Sequence, residues 1–174
     1  MINFSDITYL KDGNERQQIA FKLLTERKVL SSVSMFDPIL VGTIPINIDI
    51  EDSDLDIICC FEDKKAFTDT LIKFFRNEAR FTVKDVVING VASIIANFYL
   101  EAFEVEIFGQ QAPVKQQHAY RHLLIEHEIL LAKGEAFRLE VIRLKRDGYK
   151  TEPAFALLLG LQGDPYLALL DYQH

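Results

Sequence analysis

Asp54 and Asp56 are the residues of this sequence whose types and spacing most clearly indicate chemistry. They lead into the apolar run 57–60, which predicts a strand, and a strand alternates its side chains, so both carboxylates point to one face. Neighbouring carboxylates repel each other and raise each other's pKa, and a cation between them relieves this repulsion. Oxygen ligands favour a hard ion such as Mg²⁺, which also keeps waters and phosphate oxygens in its shell. The pair therefore predicts a magnesium site.

Gly42 and Thr43 end the preceding apolar stretch, and ten residues separate them from Asp54. Glycine lets the backbone approach a ligand closely, and the threonine hydroxyl is a hydrogen-bond donor. A helix N-terminus or a nest of backbone amides beside them would complete a phosphate site. A Gly-Thr turn and polar residues at the start of a strand are each common alone, but their combination in this order favours a functional site.

The stretch VGTIPINIDIEDSDLDI (41–57) resembles the signature of the DNA-polymerase-β-like nucleotidyltransferase superfamily. That signature is an apolar residue, Gly, a small hydroxylated residue or Gly, about ten residues, and then Asp-apolar-acid-apolar. Thr43 replaces the usual Ser or Gly. The superfamily also has a third acid on a later neighbouring strand. The segment FEVEIF (103–108) offers Glu104 and Glu106 on one face, where these families more often have Asp.

The resemblance implies a transferase that moves a nucleoside monophosphate from a nucleoside triphosphate to an unknown acceptor. Two Mg²⁺ ions, or Mn²⁺, would lie between Asp54, Asp56 and Glu106, with Glu104 as the other candidate for the third acid. Gly42 and Thr43 would hold the triphosphate. The alternative is a catalytically inactive module of the same fold that binds nucleotides in a regulatory role. A third possibility, an antitoxin-like or structural partner, predicts a large exposed apolar patch.

The order of elements predicts a small α+β domain around these residues. Helical spacing of apolar residues indicates helices at 14–33 and 62–76. Strands are predicted at 35–41, 53–61, 80–88, 91–99 and 101–109. Asn89-Gly90 is a strong hairpin signal, because both central residues of a tight primed turn need positive φ. Residues 1–112 are thus expected to form a mixed sheet of the nucleotidyltransferase type with helices on one face.

A helical subdomain packed on this core is expected from 113 to 174. Helices are predicted at 114–133, 134–148, from Thr151 onward, and at 165–172, with Gly148 as a C-cap and Thr151 as an N-cap. The tail GYKTEPAFALLLGLQGDPYLALL resembles the C-terminal signature of an uncharacterised bacterial family of nucleotidyltransferase-like proteins. That resemblance indicates the fold rather than a substrate.

Two groups of polar residues in the helical part have more than one interpretation. His118, Arg121, His122 and Glu126 can line one helical stripe, either as a solvated face or with Arg121 or His122 near a triphosphate or acceptor. Lys145, Arg146 and Lys150 complement a helix dipole, but they could also bind phosphates, and Lys150 is the preferred candidate.

Composition limits the classes of function. The chain has 174 residues, 49% of them hydrophobic, which suits one packed domain. The net charge of -7 argues against wide contact with a nucleic-acid backbone and favours a small-molecule acceptor. No apolar run approaches the ~20 residues that a membrane helix needs. The N-terminal residues lack a secretory pattern, and adjacent Cys59 and Cys60 cannot form an ordinary disulfide, so a reducing cytoplasm is expected.

Overall fold

Five strands form one mixed sheet in the computed structural model, which describes residues 2–88 and 90–172. The strand bounds are Ile39–Val41 (β1), Leu55–Cys60 (β2), Ala79–Ile88 (β3), Val91–Leu100 (β4) and Phe103–Gln110 (β5). Their order across the sheet is β1-β2-β5-β4-β3. The last strand in the sequence therefore lies at the centre of the sheet.

The pairing of β2 with β5 is parallel, although a helix and a hairpin separate the two strands in sequence. β3 and β4 form that hairpin, in which Ile88 pairs with Val91. Gly90 has a φ of +77°, as the predicted turn requires, whereas Asn89 lies outside the described residues. Because β5 pairs antiparallel with β4, the chain returns to the direction of β2.

Seven α-helices accompany the sheet in the described part of the chain. Their bounds are Glu15–Glu26 (α1), Val29–Ser32 (α2), Lys64–Phe75 (α3), His118–Lys133 (α4), Glu135–Arg146 (α5), Thr151–Leu159 (α6) and Pro165–Leu170 (α7). Asn14 caps α1 as predicted, through a reciprocal capping box with Gln17. The predicted single helix 14–33 is wrong, because Lys28 adopts a left-handed conformation (φ 55°) that ends one helix and precedes the next.

The first strand is shorter than the predicted 35–41. Ser34–Phe36 forms a 3₁₀ turn, and Asp37 adopts a left-handed conformation with a φ of 52°. Pro38 follows, and its missing N–H removes a donor from any sheet ladder. Regular pairing therefore begins only at Ile39.

One face of the sheet is covered by the N-terminal helices and α3. Alternate residues of the central strands point into this core, among them Leu55 and Ile57 of β2 with Val105 and Ile107 of β5. α3 approaches β5 so closely that a Cβ at Gly109 would collide with the Phe67 ring. A 3₁₀ helix at Ile7–Asp12 adds to the same side.

The C-terminal helices pack on the other face, over β1 and the end of β2. Ile39 and Val41 of β1 share a second core with Leu123, Val141 and Phe155. The α+β class with a mixed sheet and a C-terminal helical part is thus confirmed. The second core covers the β1 side, and the acidic positions of β2 and β5 face a cavity instead.

Two surface properties bear on the alternatives raised by the sequence. Among the described helices, none is long and apolar enough to cross a membrane. Four leucines of the C-terminal helices, Leu131, Leu139, Leu157 and Leu167, are more than half exposed. Exposed leucines are the kind of surface that a structural partner would use, so that alternative stays a prediction.

Candidate active site

A cavity of about 840 Å³ lies between the second face of the sheet and the C-terminal helices. This volume falls within the range of small-molecule sites. We call its two sides the sheet wall, formed by Gly42, Thr43 and the acidic residues of β2 and β5, and the helical wall, formed by α4, α5 and the start of α6.

Strand geometry positions the acidic residues of the sheet wall. Asp56 of β2 and Glu106 of β5 are directly paired in the parallel register, so their side chains project from the same face. Asp54 precedes β2 by one residue and lines the same cavity, as does Glu104. The structure therefore brings together the four carboxylates that the sequence suggested.

Gly42 packs so closely against Asp56 that no side chain fits at this position. It has a φ of +77°, and a Cβ at this position would collide with Oδ2 of Asp56. Thr43 follows, and its hydroxyl donates to Oγ of Ser53 at 3.3 Å. Ser53 Oγ also accepts from the backbone N–H of Ile50 at 2.9 Å, so the hydroxyls tie the turn to the loop before β2.

Burial and mutual repulsion raise the pKa values of two carboxyls on the sheet wall. The pKa of Asp56 is raised to about 8, chiefly by burial and then by the charges of Asp54 and Glu106, while Lys145 opposes the rise. Burial also raises the pKa of Glu106, against a hydrogen bond that Asn97 Nδ2 donates at 3.2 Å. A cation near these carboxylates would favour their charged forms and so oppose this rise.

Glu104 has more hydrogen-bond donors around it than Glu106. The Tyr99 hydroxyl donates to Glu104 Oε2 at 2.9 Å, and Asn97 Nδ2 lies 3.4 Å from Oε1. Glu106 instead pairs across the strands with Asp56, and after burial its charge is among those that raise the pKa of Asp56. This arrangement favours Glu106 over Glu104 as the third acid.

The donor set of the sheet wall suits a divalent cation. All its candidate ligands are carboxylate oxygens, which Mg²⁺ prefers, and burial together with mutual repulsion raises the pKa values of two of these carboxyls. Over residues 2–88 and 90–172, however, no group of three or more His, Cys, Asp or Glu side chains is arranged so that it could hold a metal ion. The chemistry of the residues thus fits the ion, while metal binding stays a prediction.

The helical wall carries buried charged groups of both signs. Glu126 of α4 is 3% exposed, and Lys145 of α5 is 8% exposed. Lys145 Nζ donates to the backbone carbonyl of Ile48 at 3.0 Å. His122 Nε2 lies 2.9 Å from the Tyr166 carbonyl, which can only accept, so this nitrogen carries the proton. The solvated-face interpretation of this stripe is therefore wrong for His122 and Glu126.

The predicted cations differ in their distance from the cavity. Lys150 precedes α6, is exposed and lines the cavity. Arg121 is also exposed but is not among the residues that line it, so its role stays a prediction. Arg146 points to Glu51 at 2.6 Å.

Lys145 is the cation of the cavity that the sequence pattern does not single out. Its charge acts on Glu126, Asp54 and Asp56, and burial lowers its own pKa. A signal was available, because Lys145 falls on the apolar stripe of α5 that includes Val141. A lysine on the buried side of a helix is uncommon unless it has partners.

Solved structures with similar folds include enzymes of RNA metabolism. The GLD-2/RNP-8 complex matches with a TM-score of 0.53 and 13% identity, covering 87% of this chain and 57% of that chain. The Cid1 poly(U) polymerase bound to MgGTP gives 0.53 and 13%, covering 80% and 46%. The polymerase core of TRAMP, an RNA surveillance complex, gives 0.52 and 14%, covering 94% and 50%. At these identities the likeness shows the fold alone.

This chain spans about half the length of those structures. Their likeness supports the expected nucleotidyltransferase-type fold. A search of curated proteins finds no significant match. The bacterial origin and the C-terminal signature suggested by the sequence stay predictions. A family model matches residues 22–172, which is most of the chain, and the protein therefore belongs to the family described as a domain of unknown function, DUF4269.

Proposed function

We propose that this protein is a metal-dependent nucleotidyltransferase that moves a nucleoside monophosphate from a nucleoside triphosphate to an acceptor. The observation that carries the proposal is the register of β2 and β5, which sets Glu106 beside Asp56 on the face that also carries Asp54. The similarity in fold to a poly(U) polymerase supports it. Such a set of neighbouring carboxylates destabilises a fold unless cations bind beside it.

Asp54, Asp56 and Glu106 would hold two Mg²⁺ ions, or Mn²⁺, in this proposal. When bound, such ions lower the pKa of an attacking hydroxyl and stabilise the charge of a leaving pyrophosphate. The chain's own contribution is to fix the carboxylates through strand pairing and to hold Asp56 against Gly42. Glu106 would also assist on the attacking side, where its carboxylate can accept a proton from an acceptor hydroxyl.

The triphosphate would lie between the two walls. Gly42 permits close approach of the backbone, and Thr43 adds a hydroxyl. From the helical wall, Lys145 and Lys150 supply positive charge to the same cavity. Cations aimed at a leaving pyrophosphate stabilise the charge that develops in the transition state.

The acceptor is open between a small molecule and an RNA end. The net charge of -7 favours a small molecule, since nucleic-acid affinity depends on neutralised phosphates. The matched structures include a poly(U) polymerase and the polymerase core of an RNA surveillance complex, so oligoribonucleotides belong in the assay.

The test measures two quantities on the same protein: ATP binding by calorimetry with Mg²⁺, and pyrophosphate release with each common nucleoside triphosphate. In the double variant that combines Asp54→Asn and Asp56→Asn, we expect pyrophosphate release to fall at least about a hundredfold while the fold is kept. Asp69→Asn, an exposed change on α3, is the matched control and should leave release unchanged.

Each outcome separates the candidate functions. Release that survives in the double variant contradicts the assignment of the aspartates. Binding of ATP without release in the parent protein favours the inactive nucleotide-binding module. One observation favours the inactive nucleotide-binding module: Asn97 donates a hydrogen bond to Glu106, so the candidate third acid already has a partner in the protein.

A further inference from the structure

The cavity lining carries many more acidic than basic side chains among the described residues. Seven carboxylate side chains and two ammonium groups line it. Five of the carboxylates are on the sheet side, at Asp52, Asp54, Asp56, Glu104 and Glu106. The other two, Glu126 and Glu152, are on the helical wall, where the metal proposed for the sheet wall does not account for them. Such a lining favours a ligand with positive charge.

Glu126 gives this excess a specific location. It lies in the third turn of α4, lines the cavity and is only 3% exposed. In the part of the chain that the structure describes, its Oε1 is buried and has no hydrogen-bond partner. A buried carboxylate oxygen without a donor is costly, so its presence at a cavity indicates that a ligand supplies the donor.

The nearest charged groups do not fill that role. Lys145 acts on Glu126 through space, but its Nζ donates to the Ile48 carbonyl, and no ion pair with Glu126 is present among the described residues. Glu152 repels Glu126 and is directed to His122, whose Nδ1 lies 3.5 Å from its Oε1. Glu126 thus lines the cavity with one buried carboxylate oxygen that has no donor among the described residues.

We propose that Glu126 binds a protonated amine of a small ligand, with Glu152 adding negative charge beside it. The ligand's ammonium group would donate to Glu126 Oε1, and the acidic lining would attract it electrostatically. Under the proposed function, on which this identification rests, the amine belongs to the acceptor, which is then a small amine-bearing molecule.

The protonation of Glu126 supports the same conclusion. Burial raises the pKa of Glu126 well above its ordinary value, and the charge of Glu152 raises it further. An ammonium ion beside the carboxylate would favour the charged form and lower that pKa. Ligand binding should therefore be accompanied by loss of a proton from Glu126.

The experiment uses the full chain in buffer with EDTA and without nucleotide, so its result does not depend on metal or turnover. The probes are putrescine and glucosamine, compared with butanediol and glucose as uncharged counterparts. Calorimetry should give affinities for the amines about tenfold higher than for the alcohols. The variant Glu126→Gln should lose this preference, since an amide of the same shape no longer carries charge.

Glu128→Gln is the matched control, because it makes the same change at an exposed position of the same helix. It should keep the preference for the amines. Equal binding of amines and alcohols by the parent protein, or no binding of either, overturns the proposal, as does an undiminished preference in Glu126→Gln. A protein that binds amines but releases no pyrophosphate would contradict the transferase proposal alone.

Discussion

The sheet wall and the helical wall of the cavity present charge in different ways. On the sheet wall, strand pairing places carboxylates side by side, as for Asp56 and Glu106. On the helical wall, packing of separate helices buries Glu126 and Lys145 without an ion pair between them, as far as residues 2–88 and 90–172 show. One wall thus concentrates a single sign of charge, and the other separates two signs.

This difference indicates that the walls have different tasks. Carboxylates held in register by backbone hydrogen bonds keep a fixed spacing, which a bound cation requires. The positions of side chains on the helical wall depend on how α4, α5 and α6 pack together. Such side chains can distinguish ligands of different shape and charge. Under the proposed function, the sheet wall would hold the metal ions, and the helical wall would supply the lysines for the triphosphate and the carboxylate that selects the acceptor.

The largest expected effect tests the fixed spacing of the sheet wall. Gly42→Ala should destabilise the protein by about 3 kcal/mol, because a Cβ at this positive φ collides with Oδ2 of Asp56. Transferase activity should fall with it, since Asp56 must move. Chemical denaturation and pyrophosphate release measure the two effects.

The matched control for that change is Gly90→Ala. Gly90 has the same φ of +77°, but a Cβ there meets no atom within 4 Å among the described residues. It should cost only the conformational penalty of about 1 kcal/mol and leave release unchanged. Equal losses of stability in the two variants would show that the contact with Asp56 is unimportant.

A smaller effect is expected for the buried cation of the helical wall. Lys145→Met removes the ammonium group that acts on Asp54 and Asp56 and should weaken ATP binding roughly tenfold. Lys150→Met should weaken it by about twofold, because Lys150 is exposed and screened by solvent. Calorimetry with ATP and Mg²⁺ decides, and an equal loss in both variants would remove the distinction between them.

The smallest expected effect concerns stability and pH. Glu126 has a raised pKa in the folded state, so its contribution to stability falls as pH rises above its ordinary value of 4.5. Glu126→Gln has no proton to lose. In the ligand-free protein it should therefore be more stable than the parent by about 1 kcal/mol at neutral pH, with a smaller gap at pH 4.

Thermal unfolding of both proteins across pH measures that gap. Glu152, His122 and Lys145 face the same cavity, and they are present in both proteins, so their titration largely cancels in the difference. A gap that stays constant with pH, or that favours the parent protein at neutral pH, would contradict the prediction.

The sheet wall was predictable from the sequence because strand geometry is local. An alternation of two residues is sufficient to set Asp54 and Asp56 on one face, and the same rule applies to Glu104 and Glu106. The choice between the two glutamates was not predictable, since it depends on the β2–β5 register and on Tyr99 and Asn97. Those partners come from strands whose pairing the sequence does not specify.

The helical wall was only partly predictable for a related reason. Helical spacing put His122 and Glu126 on one stripe, but which side of α4 is buried depends on how α5 and α6 pack against it. Local sequence indicates only an end-of-helix charge at Lys145, whereas the tertiary fold buries this side chain, which donates to the Ile48 carbonyl. Long-range packing, rather than local propensity, decided the role of each residue.

The parallel register of β5 on β2 has a consequence for how faithfully this protein folds. A slip of one residue would turn Glu104 and Glu106 into the apolar layer beneath α3 and expose Val105 and Ile107 to water. Burying two unpaired acids would destabilise the fold by far more than the backbone hydrogen bonds of the shifted strand could offset. The apolar core therefore selects the register that places the acids at the cavity, and a chain with a shifted register would be unstable whether or not a substrate is present.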